Sequence, residues 1–212
     1  MLAGAVWVAL VPGDASLAIL VLGGALVAAG VAWLETGPDS AKEIAGIATI
    51  AGVAAAGRVL FAGIPGVQPL TDIAVASGVA LGARAGFAVG AVGAFVSNLF
   101  LAEGPWTLWQ TLGWAGCGAI GGLGAPLLRR RLPFALVCGV LGLAFSALMD
   151  VWDWFAFYPH TWQAFAAHHV AGFPFDVAHA AGNVVLALVA GPELRRLLER
   201  FGRRLRTEVL WA

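Results

Sequence analysis

Long apolar runs, separated by short polar breaks, dominate this sequence. A hydrocarbon core about 30 Å thick is crossed by roughly 20 apolar residues of helix. Cutting at charge, Pro and Gly leaves runs of that order at about 41–62, 85–102, 106–128, 133–158 and 174–194, with a shorter one at 70–82. Because a bilayer core offers no water to backbone N–H and C=O groups, each run must close its own hydrogen bonds as a helix. The expected fold is an all-α integral membrane protein, a six-transmembrane-helix bundle over 41–206 with an extra N-terminal hydrophobic helix or hairpin in 1–35. Within that leading segment the stretch 2–11 is too short to cross untilted, and Pro12, Gly13 and Asp14 break it from a full span at about 16–34. It lacks the basic start and small-residue cleavage site of a secretory signal, so it reads as mature protein.

Only 11% of residues are charged and 60% are hydrophobic, which excludes a soluble domain large enough to do chemistry outside the bilayer. The 29 glycines suit close approach of membrane helices. Net charge is zero, and the basic residues gather beside the ends of runs, a topology signal and not a nucleic-acid footprint. Arg129, Arg130, Arg131 and the basic tail after Gly191 mark cytoplasmic ends, and alternation puts Lys42 and Arg84 on the same side; only Arg58 falls opposite. The expectation is a multi-pass protein of the cell membrane with a cytoplasmic C-terminus. Cys117 and Cys138 sit in apolar runs without CxxC spacing and read as packing residues.

This topology places the connections 63–69, 102–105 and 159–173 outside, together with most of the remaining polar and aromatic inventory. A ligand site open to the outside follows, with Arg58, Gln68, Asn98, Trp106, Trp109, Gln110, Asp150, Trp154, His179 and Asn183 as candidate substrate-binding residues. Trp and Tyr also gather at membrane interfaces whatever the function, which is the plainer reading of Tyr158 and Trp162. Ionisable residues within spans usually face a cavity or a partner. Asp176, His179 and Asn183 share one helix face, Asp150 and Asp153 lie one turn apart, and Arg58 is the natural counter-charge for Asp150 or Asp176. Gly86, Gly90 and Ala94 form a small-residue row leading to Asn98, which should point inward. A second such row, Ala48, Gly52 and Ala56 beside Ala51 and Ala55, suits either internal packing or a partner helix.

Catalytic and metal chemistry find little support. There is no HExxH, His168 and His169 are adjacent and should diverge on a helix, and no Ser or Cys nucleophile has a convincing base. No metal, cofactor or catalytic residue is expected. With no GxxxxGK[ST] phosphate loop, any ATP hydrolysis must come from partners.

The run GRVLFAGIPGVQP at 57–69 resembles the first helix and outer loop of substrate-binding (S) components of energy-coupling factor (ECF) transporters. LGARAGF at 81–87, Ser97-Asn98 with Gly104-Pro105-Trp106-Thr107 and Trp109-Gln110, and Asp176-Val177-Ala178-His179 with Asn183 and Gly191-Pro192 extend the resemblance in order over 41–206. It implies a six-helix subunit that captures a vitamin or related micronutrient from outside, with cobalamin or another corrinoid as the leading substrate. The partners implied are a transmembrane coupling protein and two cytoplasmic ATPases. It also implies docking through an Ala-x-x-x-Ala pattern on the first helix, which Ala51 and Ala55, flanked by Ala48 and Gly52, satisfy. An intramembrane metal-dependent enzyme and a non-binding assembly subunit are the alternatives.

Overall fold

The computed structural model describes residues 41–205, and the expected N-terminal segment 1–35 lies outside them. Among the described residues the secondary structure is helical throughout. It comprises α1 (Ala41–Leu60), α2 (Pro69–Leu81), α3 (Ala83–Leu101), α4 (Trp106–Leu123), the single turn α5 (Ala125–Leu128), α6 (Arg131–Phe157), α7 (Trp162–Val189) and α8 (Gly191–Leu205). Four of these, α1, α3, α6 and α7, are long and apolar enough to cross a membrane. Large apolar side chains point outward, with Leu60 80%, Leu123 78% and Val189 77% exposed, while Asn98, Asn183, Asp176 and Asp150 are buried. Apolar groups outside and polar groups inside is the arrangement lipid selects, and the protein is membrane-embedded.

Helix α2 is the hub. Only 13 residues long, or about 20 Å at 1.5 Å per residue, it is buried along most of its length and touches α1, α3, α4, α6, α7 and α8. A helix sheathed in protein need not match the bilayer thickness, which is why this run is shorter than its neighbours. Around it α3 and α4 make the closest contact. A Cβ added at Gly86 would stand 2.3 Å from the Gly118 carbonyl oxygen, and one at Gly90 would stand 2.1 Å from that of Trp114. The row Gly86, Gly90, Ala94, Asn98 therefore faces α4, as its spacing predicts, and Asn98 is buried at 1% exposure.

The basic residues collect at one end. Lys42 Nζ donates to the Arg204 carbonyl at 2.7 Å, Arg131 Nη2 to that of Leu188 at 2.7 Å, and Arg195 Nη1 to that of Leu128 at 2.7 Å. These bonds tie the start of α1, the α5–α6 turn, the end of α7 and the amphipathic α8 together.

Two expectations are corrected here. The segment 159–173 is not a long connection: α7 begins at Trp162 and runs through Pro174, its start capped by Thr161 Oγ1 accepting from Ala164 N at 3.2 Å. A proline costs a helix its bond to the preceding turn but need not end it when neighbouring helices hold both sides. The last span also stops at Ala190, and α8 begins anew at Gly191, whose missing side chain accommodates the Phe134 ring: a Cβ there would lie 2.9 Å from it.

Candidate functional site

Arg58, in the last turn of α1, lies 7% exposed inside the bundle. Its guanidinium offers five N–H donors. Nε donates to Gln68 Oε1 at 3.3 Å, Nη1 to Ser97 Oγ at 2.7 Å and to Asn98 Oδ1, and Nη2 to Gln110 Oε1 at 3.3 Å. The amide of Asn98 then donates to Thr107 Oγ1 at 2.8 Å and to Gln110 Oε1 at 2.9 Å, and Thr107 donates to Glu103 Oε2 at 2.7 Å. Below the guanidinium lies the Trp114 ring, its centroid 4.6 Å from Cζ, and Trp114 Nε1 donates to Thr71 Oγ1 at 3.0 Å. Helices α1, α3 and α4 and the 61–68 loop thus supply one connected polar centre.

The sequence-based ion pair of Arg58 with Asp150 or Asp176 does not form. Among the described residues no carboxylate is within ion-pair range of Arg58. The reason is placement: α1 packs on α2, α3 and α8, not on α6 or α7. Among the described residues this buried guanidinium has four neutral acceptors and no counter-ion, and so keeps its full charge in a low-dielectric site.

A second polar centre lies between α6 and α7. The buried stripe of α7 is Asp176, His179, Asn183 and Ala187, three of the four polar. His179 Nδ1 lies 3.4 Å from Ser146 Oγ, and Asn183 Nδ2 donates to the Cys138 carbonyl at 3.4 Å. The adjacent histidines do not diverge as expected. His169 Nδ1 contacts Asp150 Oδ2, while His168 Nε2 is 3.7 Å from both Asp150 Oδ1 and Asp153 Oδ2. Asp150 sits between them, so neighbours on α7 reach its two oxygens from either side.

The centres are joined by aromatic rings: Trp114 to Phe145 at 4.1 Å between centroids, then Phe145 to His179 at 5.6 Å. The 61–68 loop covers His179 closely; Gly66 has φ 77°, and a Cβ there would stand 2.8 Å from the His179 amide nitrogen, so glycine is required on both counts. Several buried polar atoms of α4, α6 and α7 have no hydrogen-bond partner: Trp109 Nε1, Trp152 Nε1, His168 Nε2, Asp176 Oδ2, His179 Nε2 and Asn183 Oδ1. Such atoms are rare in folded proteins, and each calls for a bound partner or a specific role.

Of the sequence candidates, Arg58, Gln68, Asn98 and Gln110 converge directly. Asp150, His179 and Asn183 lie on the facing α6 and α7, and Trp106 meets the edge of Trp152 at 6.4 Å. Trp154 joins neither centre. Its Nε1 donates to the Pro159 carbonyl at 2.9 Å, and its ring packs on Phe155, His160 and Phe165, where it braces the α6–α7 corner. The face assigned to docking divides: Ala51 and Ala55 are buried against the bundle at 0% and 3% exposure, whereas Ala48, Gly52 and Ala56 remain exposed. Ala51 and Ala55 are therefore packing residues, because one row over from the exposed face the helix turns toward α3, where the Ala51 carbonyl lies beside Gly93.

Sequence reasoning missed Ser97, Thr107 and Asp72. Asp72 is 4% exposed, with the Cys138 thiol as the side-chain group beside its carboxylate, and it lines an apolar groove with Ala56, Gly57 and Leu186. The available signal was its isolation, as the single ionisable residue between Arg58 and Arg84.

The fold and site define a polytopic helical membrane protein with polar centres enclosed by apolar helices. The chain belongs to the family of unknown function DUF6580, whose model matches residues 39–195. No curated protein and no solved structure matches it.

Proposed function

We propose that this chain is the substrate-binding membrane subunit of an ECF-type transporter, taking a vitamin or related micronutrient from outside for ATP-driven uptake by partner subunits. The observation that carries the reading is the buried Arg58 centre: a cation held by Gln68, Ser97, Asn98 and Gln110 with no acidic partner among the described residues. Such a site suits a ligand that brings its own anionic group, a carboxylate or phosphate, for which the guanidinium is the best-matched side chain. A corrinoid bearing a phosphodiester meets that requirement and remains the leading substrate, consistent with the resemblance of the 57–69 and 97–110 segments to S components.

In this reading six spans cross the cell membrane, with α2 and the α4–α5 pair joining the four long helices. The basic end that unites Lys42, Arg131 and Arg195 faces the cytoplasm, and the Arg58 centre opens outward. The exposed Ala48–Gly52–Ala56 row on α1 is the surface for the coupling protein. The observation favouring an intramembrane metal-dependent enzyme is the approach of Asp150, His169 and Asp176; that reading predicts loss of a turnover, not only of binding, on chelation.

Mass spectrometry of small molecules released from the detergent-purified chain tests the proposal. A near-stoichiometric vitamin that rebinds to the wild type and binds at least tenfold more weakly to Arg58→Met supports it. No released ligand and no binding from a vitamin panel that includes cobalamin overturns it.

A further inference from the structure

Helices α6 and α7 run antiparallel from a tight corner, and beside that corner they bring aspartates and histidines into contact. Asp150 and Asp153 come from α6. Opposite them α7 presents His168, His169 and Asp176, of which His169 and Asp176 share a helical face by their i, i+7 spacing. One donor atom each from Asp150, His169 and Asp176 lies within 4.8 Å of the other two. His168 Nε2 is a further donor, 3.7 Å from Asp150 Oδ1. Gly172 lies on the same face, where a Cβ would stand in ordinary contact, 3.6 Å from Asp150 Oδ1.

Two features separate this cluster from a self-satisfied ion-pair network. Asp176 is 6% exposed, and its Oδ2 has no hydrogen-bond partner; the buried His168 Nε2 has none either. The charges also fail to balance: three carboxylates face two imidazoles, with no Lys or Arg in ion-pair range of Asp150, Asp153 or Asp176 among the described residues. A carboxylate held in such surroundings without a cation is costly. The imidazoles are held in place by rings, His169 stacked on Phe165 at 10° between planes and His168 against Tyr158 at 4.6 Å between centroids. Oriented imidazoles are what a metal site requires of its surroundings.

We propose that Asp150, His169 and Asp176, with His168 as a fourth donor, bind one divalent transition-metal cation of the zinc class. Two imidazole nitrogens with carboxylate oxygens match the borderline ions zinc, cobalt and nickel, whereas calcium and magnesium favour all-oxygen shells. Tetrahedral zinc with bonds of about 2.1 Å places its donors about 3.4 Å apart. The dication offsets the carboxylate excess and gives Asp176 Oδ2 and His168 Nε2 the partner that the protein does not provide. The site is independent of the transport reading: it draws no residue from the Arg58 centre, and a bound ion serves equally as a structural clamp between α6 and α7 or as part of a ligand-binding wall.

The test uses the full chain, purified in detergent, stripped with a chelator and titrated calorimetrically with zinc alone. The expected result is one chelator-reversible equivalent. Asp176→Asn and His169→Ala should each weaken binding by more than the 10–100-fold that loss of an outer-shell partner costs. His160→Ala should leave it unchanged, because His160 is exposed and its Nε2 contacts only the Phe155 carbonyl, at 3.1 Å. Should the substituted chains prove unstable, the cobalt-loaded wild type gives a second reading: intense visible absorption of four-coordinate cobalt supports the site. Absence of that absorption, absence of saturable zinc binding, or wild-type affinity in a folded Asp176→Asn overturns it.

Discussion

Gly118→Ala tests the packing that holds the Arg58 centre together. A Cβ at position 118 would lie 1.9 Å from the Gly86 carbonyl oxygen, against the 3.4 Å at which ordinary van der Waals contact begins. Backbone cannot rotate out of the way as a side chain can, so α3 and α4 must part by roughly 1.5 Å at this level, in an interior packed as densely as a crystal. Overpacking of this kind typically costs about 1–3 kcal/mol, and the backbone contact argues for the upper end. The same two helices carry the 2.8 and 2.9 Å bonds from Asn98 to Thr107 and Gln110, so separation also loosens the acceptors around Arg58. Gly116→Ala is the internal control, since a Cβ there meets nothing within 4 Å. Helix propensity alone makes that substitution neutral or stabilising by up to about 1 kcal/mol. The assay is thermal unfolding of the detergent-purified variants followed by loss of monodisperse protein. Equal midpoints for Gly118→Ala and Gly116→Ala would refute the reasoning.

Three further outcomes follow from the same geometry. Gly52→Trp, on the exposed side of α1 with nothing within 4 Å of its Cβ, should leave ligand binding intact and abolish uptake in cells, whereas Ala55→Trp, at a buried position, should destabilise the chain itself; thermal melts and an uptake assay separate the two. Arg58→Lys keeps the charge but cannot span Gln68, Ser97, Asn98 and Gln110 at once, and loss of charged hydrogen bonds worth about 1.5–3 kcal/mol each should weaken ligand binding about 10–100-fold in calorimetric titration. Thr161→Ala removes the acceptor for Ala164 N and should cost about 1 kcal/mol, seen as faster amide exchange confined to the first turn of α7.

Much of the architecture was legible in the sequence because a bilayer leaves few choices. Apolar runs of about 20 residues must be helices, and breaks rich in charge, Pro and Gly must be their ends. The row from Gly86 to Asn98 and the face shared by Asp176, His179 and Asn183 were readable because helical periodicity alone sets which side chains stand together. Residues 159–173 were not readable, since a proline and several polar residues resemble a loop in one dimension. Helix α7 continues through them because α6 packs along its length.

What the sequence determined by itself was the class of solvent, the helices and the identity of the inward polar residues, each of which follows from local hydropathy and a fixed period. Only the tertiary structure decided partners. It gave Arg58 four neutral acceptors in place of an aspartate, turned Ala51 and Ala55 into the core while leaving Gly52 outside, and set two adjacent histidines on opposite oxygens of Asp150. Those outcomes depend on which helices touch and at what rotation. Close backbone contacts at Gly66, Gly86 and Gly118 set both, and no single run of residues encodes them.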